Sequence, residues 1–248
     1  MDNQMESIID DLECNILGLD DAFAFKCRTC GRCCKNRDDI LLTTRDLYNI
    51  AHTLGKTMED VVKQYCKVHI GQHSRIPVVR LRPVGAEQVC PLLRDKRCSV
   101  HTAKPVICAL YPLGRAILVH MPEDGVEWPE KIVPTYVLQS NICGNRNHTH
   151  TVRSWLEQFG IPVEDEFYVM WTKLLAELTG MILRFEAAHA SEKILQHIWE
   201  AVFAVLYVNC DAEKELIPQF QENTSALMSI LKSVEEELTR CGGLRYGA

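Results

Sequence analysis

Four cysteines fall within residues 27–34, Cys-Arg-Thr-Cys-Gly-Arg-Cys-Cys, so that only Arg28, Thr29, Gly31 and Arg32 separate Cys27, Cys30, Cys33 and Cys34. A hydrophobic core is filled by branched aliphatic side chains, and charged and glycine spacers cannot serve that purpose. Metal ligation is the chemistry that this density suits. The C-x2-C-x2-C spacing lets three thiolates converge from one short loop, as in the first three ligands of a bacterial ferredoxin run, whereas a single C-x2-C supplies half a zinc site. Adjacent side chains tend to point apart, so Cys34 joins the same centre as Cys33 only if the backbone turns sharply. A second metal, a second role or a disulfide are the other assignments open to it. Lys26, Arg28, Arg32, Lys35 and Arg37 surround the run, and cations favour the thiolate form by Coulomb attraction.

Further cysteines follow in marked contexts: Cys90-Pro91-Leu92-Leu93, Cys98-Ser99-Val100-His101, Lys104-Pro105-Val106-Ile107-Cys108, then Tyr111-Pro112-Leu113-Gly114-Arg115 and Cys143-Gly144. In this order, residues 25–145 resemble the YkgJ-type cysteine-cluster family (CxxCxxCC), described as zinc- or iron-chelating and including the flagellin lysine N-methylases. The resemblance implies metal binding, with an iron–sulfur cluster of 4Fe-4S type or zinc as the cofactor. The expected metal set is Cys27, Cys30, Cys33, Cys34, Cys90, Cys98, Cys108 and Cys143. A ferredoxin run continues with a fourth cysteine after three residues and a proline, which is absent here, so a cluster on the first three must take its fourth ligand from elsewhere. Eight cysteines would equally satisfy two structural zinc ions without catalysis. A third reading, a protein-lysine N-methyltransferase similar to the flagellin enzymes, lacks a G-x-G-x-x-G turn; Leu17-Gly18-Leu19 and Cys241-Gly242-Gly243 are poor substitutes. Whether the chain is an enzyme stays open. A redox or modification role would require a protein substrate or a redox partner.

The remaining cysteines, Cys14, Cys66, Cys210 and Cys241, stand apart from these motifs and are expected to pack or to be plain thiols. His148 and His150, in a polar stretch read as a loop, could offer imidazole to a borderline metal. Tyr111, His101 and Arg115 follow cysteines closely enough to give a thiolate a hydrogen bond or a charge. Cys34 could also act as an activated nucleophile with His101 or His150 as base, although nothing in the sequence fixes that geometry.

These residues need elements to position them. The apolar spacing of Ile8, Ile9, Leu12, Ile16 and Leu19 predicts a helix over residues 5–19. Thr43 with Asp46, and Thr57 with Asp60, have the spacing of helix starts, and Gly55 stands between them as a stop. A helical hairpin over the metal loop is expected. The two short helices also suit a DNA-reading motif, but the acidic balance and lack of a dimerisation signal make nucleic acid an unlikely partner. Alternation at Val79 and Leu81 predicts a strand, and residues 90–100 predict a hairpin turning at Arg94–Arg97. Residues 116–121 read as another strand, with Val133 and Val137 as core candidates beyond it. Helices are expected over about 164–184, again through Ile194 to Leu206, and from about 223 to 240. The fold class is therefore α+β and mainly α with a small β component. The expected organisation is an acidic helix over 1–25, a loop-rich cysteine module over 26–150, and a helical C-terminal region over 151–248.

Composition narrows the class. At 248 residues, with 47% hydrophobic and 24% charged residues, the chain is globular in type, and no apolar run reaches membrane-spanning length. The N-terminus is acidic and unlike a signal peptide, so a cytoplasmic location is expected, in which twelve cysteines point to metal or redox chemistry rather than disulfides. The net charge of −6 is uneven, because residues 26–115 carry 17 Lys and Arg against 7 Asp and Glu. The cysteine region is thus the basic part of an acidic protein.

Overall fold

The computed structural model describes residues 15–28, 30–117, 128, 132–139 and 143–243. Cys14, most of the first expected helix, and the side chain of Cys241 lie outside the described residues, as do residues 118–121 of the expected strand. The fold is α+β: small antiparallel sheets carry the cysteine region, and long helices complete the chain.

Strand β1 (Ile16–Leu17) pairs with β9 (Thr135–Leu138), which also pairs with β8 (Leu113–Ala116). The helical reading therefore fails at Ile16 and Leu17, where partners about 120 residues away override local periodicity. Strand β2 (Ala22–Lys26) pairs with β10 (Asn145–Thr151). A third sheet, ordered β3-β5-β4, comprises Leu41–Leu42, Pro77–Leu81 and Cys66–Ile70. The last ribbon joins β6 (Leu93–Arg94) to β7 (Arg97–Cys98) across a two-residue turn in which Asp95 and Lys96 have positive φ. Positive φ at both central residues is the turn that matches strand twist in a tight hairpin.

The helical hairpin follows from its caps. Helix α1 (Thr44–Leu54) begins at Thr43, whose side chain accepts from the Asp46 amide while Asp46 accepts from the Thr43 amide. It stops at Gly55, whose φ of 59° is left-handed. Helix α2 (Met58–Tyr65) is capped in turn by Thr57. Leu47, Ile50, Ala51, Val61 and Val62 face inward and share one core with α5 (Glu166–Ala187), α6 (Glu192–Tyr207) and α7 (Leu216–Gly243). Each fully buried Leu or Val there contributes roughly 1.5–3 kcal/mol, so the hairpin is held by the C-terminal helices. Thr44 Oγ1 donates to the Leu206 carbonyl at 2.5 Å and Tyr48 to that of Lys214 at 2.7 Å, adding polar ties across the same interface.

A smaller core gathers Phe23, Phe25, Leu110, Leu113, Tyr136, Trp155 and Leu156. It joins β2 to α3 (Val106–Leu110) and to α4 (Val152–Gln158), a short helix the sequence did not announce. Trp155 Nε1 donates to the Leu110 carbonyl at 3.0 Å. Two expectations need correction here. Val133 is 52% exposed, and the core position of its segment is Tyr136. Helix α7 starts about two turns before Asn223, with Pro218 in its first turn, where the missing amide hydrogen costs nothing.

Candidate metal centre

Strand pairing explains how distant cysteines meet. Lys26 at the end of β2 stands opposite Asn145 at the start of β10, so the loop beginning at Cys27 and the residue pair Cys143-Gly144 leave the ribbon at the same end. The approach is close. Gly144 has φ 103°, and a Cβ there would lie 2.7 Å from the Lys26 carbonyl oxygen and 2.8 Å from the Phe25 ring. Only glycine combines that φ with that contact. Cys143 is buried, and its amide donates to the Tyr111 hydroxyl at 2.7 Å while that hydroxyl reaches Cys143 Sγ at 3.4 Å.

Within the loop, Gly31 adopts φ 68° and starts a 3-10 turn over Arg32–Cys34, closed by the Cys34 amide donating to the Gly31 carbonyl at 3.0 Å. The turn brings the adjacent side chains to one side: Cys33 Sγ and Cys34 Sγ are 3.9 Å apart. The expectation that they point apart is thus corrected by a sharp backbone turn. Cys34 is next stitched to a second segment, because its carbonyl accepts from the Cys90 amide at 2.8 Å and the Asn36 amide donates to the Gln88 carbonyl at 2.9 Å. The ribbon β6–β7 places Cys98 opposite Leu93, and Ser99 ties its amide and hydroxyl to the Leu92 carbonyl at 2.9 and 2.8 Å.

Cys108 arrives on α3, whose first amide, Val106 N, donates to Asp46 Oδ1 at 2.8 Å. The Asp46 carboxylate that caps α1 therefore also fixes the helix carrying Cys108. Burial pushes the Asp46 carboxyl up, opposed by hydrogen bonds from Thr43 and Val106.

Electrostatics gathers the same side chains. The hydrogen bond from Cys33 holds the Cys34 thiol below its ordinary value, against burial and the fields of Cys90, Cys108 and Cys98. Cys33 is pushed up by that shared hydrogen bond, then by burial. Cys90 and Cys108 are raised by burial, and each also feels Cys98 and Cys33. Cys143 is raised chiefly by burial, with Cys30 and Cys33 adding to it. Lys104 lies in the field of Cys108, Cys98, Cys27 and Cys33; burial lowers its ammonium, which also sits 4.0 Å from the Phe159 ring centre. Cys27 and Cys30 are exposed, so the gathering opens to solvent on that side. No disulfide joins any of the described cysteines. Among the described residues, no three or more His, Cys, Asp or Glu side chains already stand in a metal-holding arrangement. The donor chemistry fits a thiophilic metal, whose binding would draw these sulfurs further together.

Other candidates lie elsewhere. Cys66 is 5% exposed at the start of β4, where burial pushes its thiol up to about 12. Cys210 is buried beside Asn223. His148 and His150 sit on strand β10, not in a loop; His150 Nε2 lies 3.0 Å from the Phe25 carbonyl and its ring packs against Trp155. His101 is exposed on a 3-10 turn. Arg115 turns to Asp165, 2.9 Å away, and stacks on Tyr168. Of the three residues expected near sulfur, Tyr111 makes the contact.

Comparison with known proteins finds that residues 26–131 match the CxxCxxCC family, described as "Putative zinc- or iron-chelating domain". The resemblance to the cysteine-cluster family read from the sequence is thus borne out over residues 26–131. The chain is also similar to the uncharacterized protein MJ0661 of Methanocaldococcus jannaschii, with 30% identity over 89 residues, which is 36% of this chain and 44% of that protein. It thus spans less than half the length of that relative. No solved structure matches. Among the described residues, no helix is long and apolar enough to cross a membrane.

Proposed function

We propose that this cysteine-cluster domain carries an iron–sulfur cluster, held by Cys27, Cys30 and Cys33 with a fourth thiolate from among Cys34, Cys90, Cys98, Cys108 and Cys143. The observation that supports this reading is that backbone pairing brings cysteine-bearing segments together, the Cys34 carbonyl accepting from the Cys90 amide at 2.8 Å and Cys33 Sγ lying 3.9 Å from Cys34 Sγ, with the charges of Lys104 and Arg37 near these sulfurs. A thiolate-bound cluster is anionic, and nearby cations offset the cost of holding it partly buried. When bound, such a cluster would supply one-electron transfer. The chain's own residues would orient the thiolates: Asp46 through Val106, Tyr111 through Cys143, and the Cys34–Cys90 backbone bond between two ligand segments. A protein substrate or redox partner would meet the face on which Cys27 and Cys30 are exposed.

One observation favours zinc as a second reading. Two thiolates about 2.3 Å from a tetrahedral zinc stand about 3.8 Å apart, and Cys33 and Cys34 are 3.9 Å apart. Metal analysis with an absorption spectrum on anaerobically purified protein separates the two. Iron and acid-labile sulfide with a brown band near about 400 nm support the cluster, whereas colourless protein containing zinc overturns it in favour of the second reading.

A further inference from the structure

Away from the sulfurs, a cleft of about 270 Å³ opens between β3, α1, α3, β8 and the first turn of α5. Ligand pockets usually measure about 300–1,000 Å³, so this one suits a small molecule. Its walls are apolar at Val106, Leu110 and Leu113, and at its exposed residues Leu41 (50%) and Ile107 (37%). Arg45 and Arg115 also line it.

The charges around this cleft are unequal. Asp165 lies between the two guanidinium groups with its side chain 1% exposed: Oδ1 accepts from Arg45 Nη1 at 2.8 Å and from the Tyr168 amide at 3.1 Å, while Oδ2 accepts from Arg45 Nη2 at 2.6 Å and Arg115 Nη1 at 2.9 Å. Among the described residues, one carboxylate thus serves two arginines. The acid that lines the cleft itself, Asp46, is occupied by the Thr43 and Val106 donors. A further donor stands close by. Tyr136, across the sheet from Arg115, has a buried hydroxyl with no hydrogen-bond partner among the described residues. A buried polar group of this kind calls for an explanation; the hydroxyl lies within the field of Arg115, behind the residues that line the cleft.

We propose that this cleft binds a small organic carboxylate with an apolar body, its head on the outer edges of Arg45 and Arg115 and its tail along Leu41 and Ile107. Guanidinium groups suit carboxylates because their paired N–H donors match the two oxygens. A purely structural triad, tying α1, β8 and α5 together, is the competing account. The proposal does not depend on which metal the cysteines hold.

The test is calorimetric titration of the full-length protein with hexanoate and with the neutral hexanamide. Saturable hexanoate binding is expected with Kd of about 1 mM or tighter, and hexanamide at least about tenfold weaker. Arg45→Met breaks the triad and can unfold the protein, so Leu41→Trp, which fills the cleft from an exposed position, is the deciding variant. Leu41→Trp should keep the wild-type melting point and lose at least about tenfold in hexanoate affinity. No saturation by about 20 mM, equal affinity for the amide, or unchanged hexanoate affinity in Leu41→Trp would each overturn the proposal.

Discussion

Replacing Gly144 by alanine tests whether the β2–β10 ribbon approaches as closely as described and whether that approach sets the position of Cys143. Two costs add at this position. The φ of 103° is one that a residue with a Cβ rarely adopts, worth about 1–3 kcal/mol. The added methyl would also fall 2.7 Å from the Lys26 oxygen and 2.8 Å from the Phe25 ring, and overpacking of this kind costs about 1–3 kcal/mol. The reduced freedom of the unfolded chain returns about 0.4–1 kcal/mol. The net expectation is a loss of about 1–5.6 kcal/mol, centred near about 3 kcal/mol. Gly55→Ala is the matched control, because Gly55 has φ 59° with nothing within 4 Å of the added Cβ. It should lose only about 1 kcal/mol. For a chain of this size each kcal/mol moves Tm by about 2–4 °C, so thermal melts should separate the two variants clearly. Gly144→Ala should also bind less metal, since Cys143 and its Tyr111 contact move with the strand. If Gly144→Ala melts within about 2 °C of Gly55→Ala, the steric part of the reasoning is wrong.

Further outcomes follow from the same geometry. Asp165→Asn should cost about 3–5 kcal/mol at pH 7, because it removes the buried partner of two guanidinium groups. Burial raises the Asp165 carboxyl, but the Arg45 hydrogen bonds and charge, with Arg115, outweigh this and hold it below its ordinary value. Its contribution is therefore complete above the unfolded value of about 3.9 and is lost as pH falls through the lower folded value. Urea melts across that acid window should show a slope that Asp165→Asn lacks. Asp46→Ala should destabilise by about 1–2 kcal/mol through the lost cap and also reduce bound metal, as read by elemental analysis, because α3 and Cys108 lose their tether; a variant with full metal content would refute that coupling. Cys33→Ser, Cys90→Ser and Cys108→Ser should each lower metal content and melting point together, whereas Cys66→Ser and Cys210→Ser should leave metal content unchanged.

Much of the scaffold was legible because its signals are local. The Thr43–Asp46 and Thr57–Asp60 caps, the Gly55 stop and the alternation through Val79 and Leu81 each lie within a few residues and reappear as α1, α2 and β5. Cysteine spacing similarly carried the family resemblance over residues 25–145, and residues 26–131 of that stretch match the cysteine-cluster family. What escaped was set by partners far away in the chain. Ile16 and Leu17 had helical spacing and became a strand because β9 offered an edge. Asn145–Thr151 reads as polar loop because its side chains are largely solvent-facing, and only pairing with β2 makes it a strand. The Arg45–Asp165–Arg115 triad draws on three elements separated by up to 120 positions, and no spacing rule connects them. The Thr43–Asp46 cap was readable, but its second use at Val106 was not.

That second use bears on how the domain could hold a metal. A centre ligated from several separate segments must order all of them, and in most small metal sites the binding energy itself does so. Here part of the ordering is supplied by protein contacts alone. The β2–β10 ribbon joins the first loop to Cys143, the Cys34–Cys90 backbone bond joins the first loop to the β6–β7 ribbon, and Asp46 fixes the helix of Cys108 to a hairpin anchored in the larger core. Each strut fixes a backbone and leaves the sulfurs short of a closed shell, with Cys27 and Cys30 still exposed. Such an arrangement lowers the entropy that metal binding must overcome while keeping an open side. It favours a centre that can be loaded on a folded protein, with the C-terminal helices providing the rigidity that the loop-rich cysteine segment cannot provide for itself.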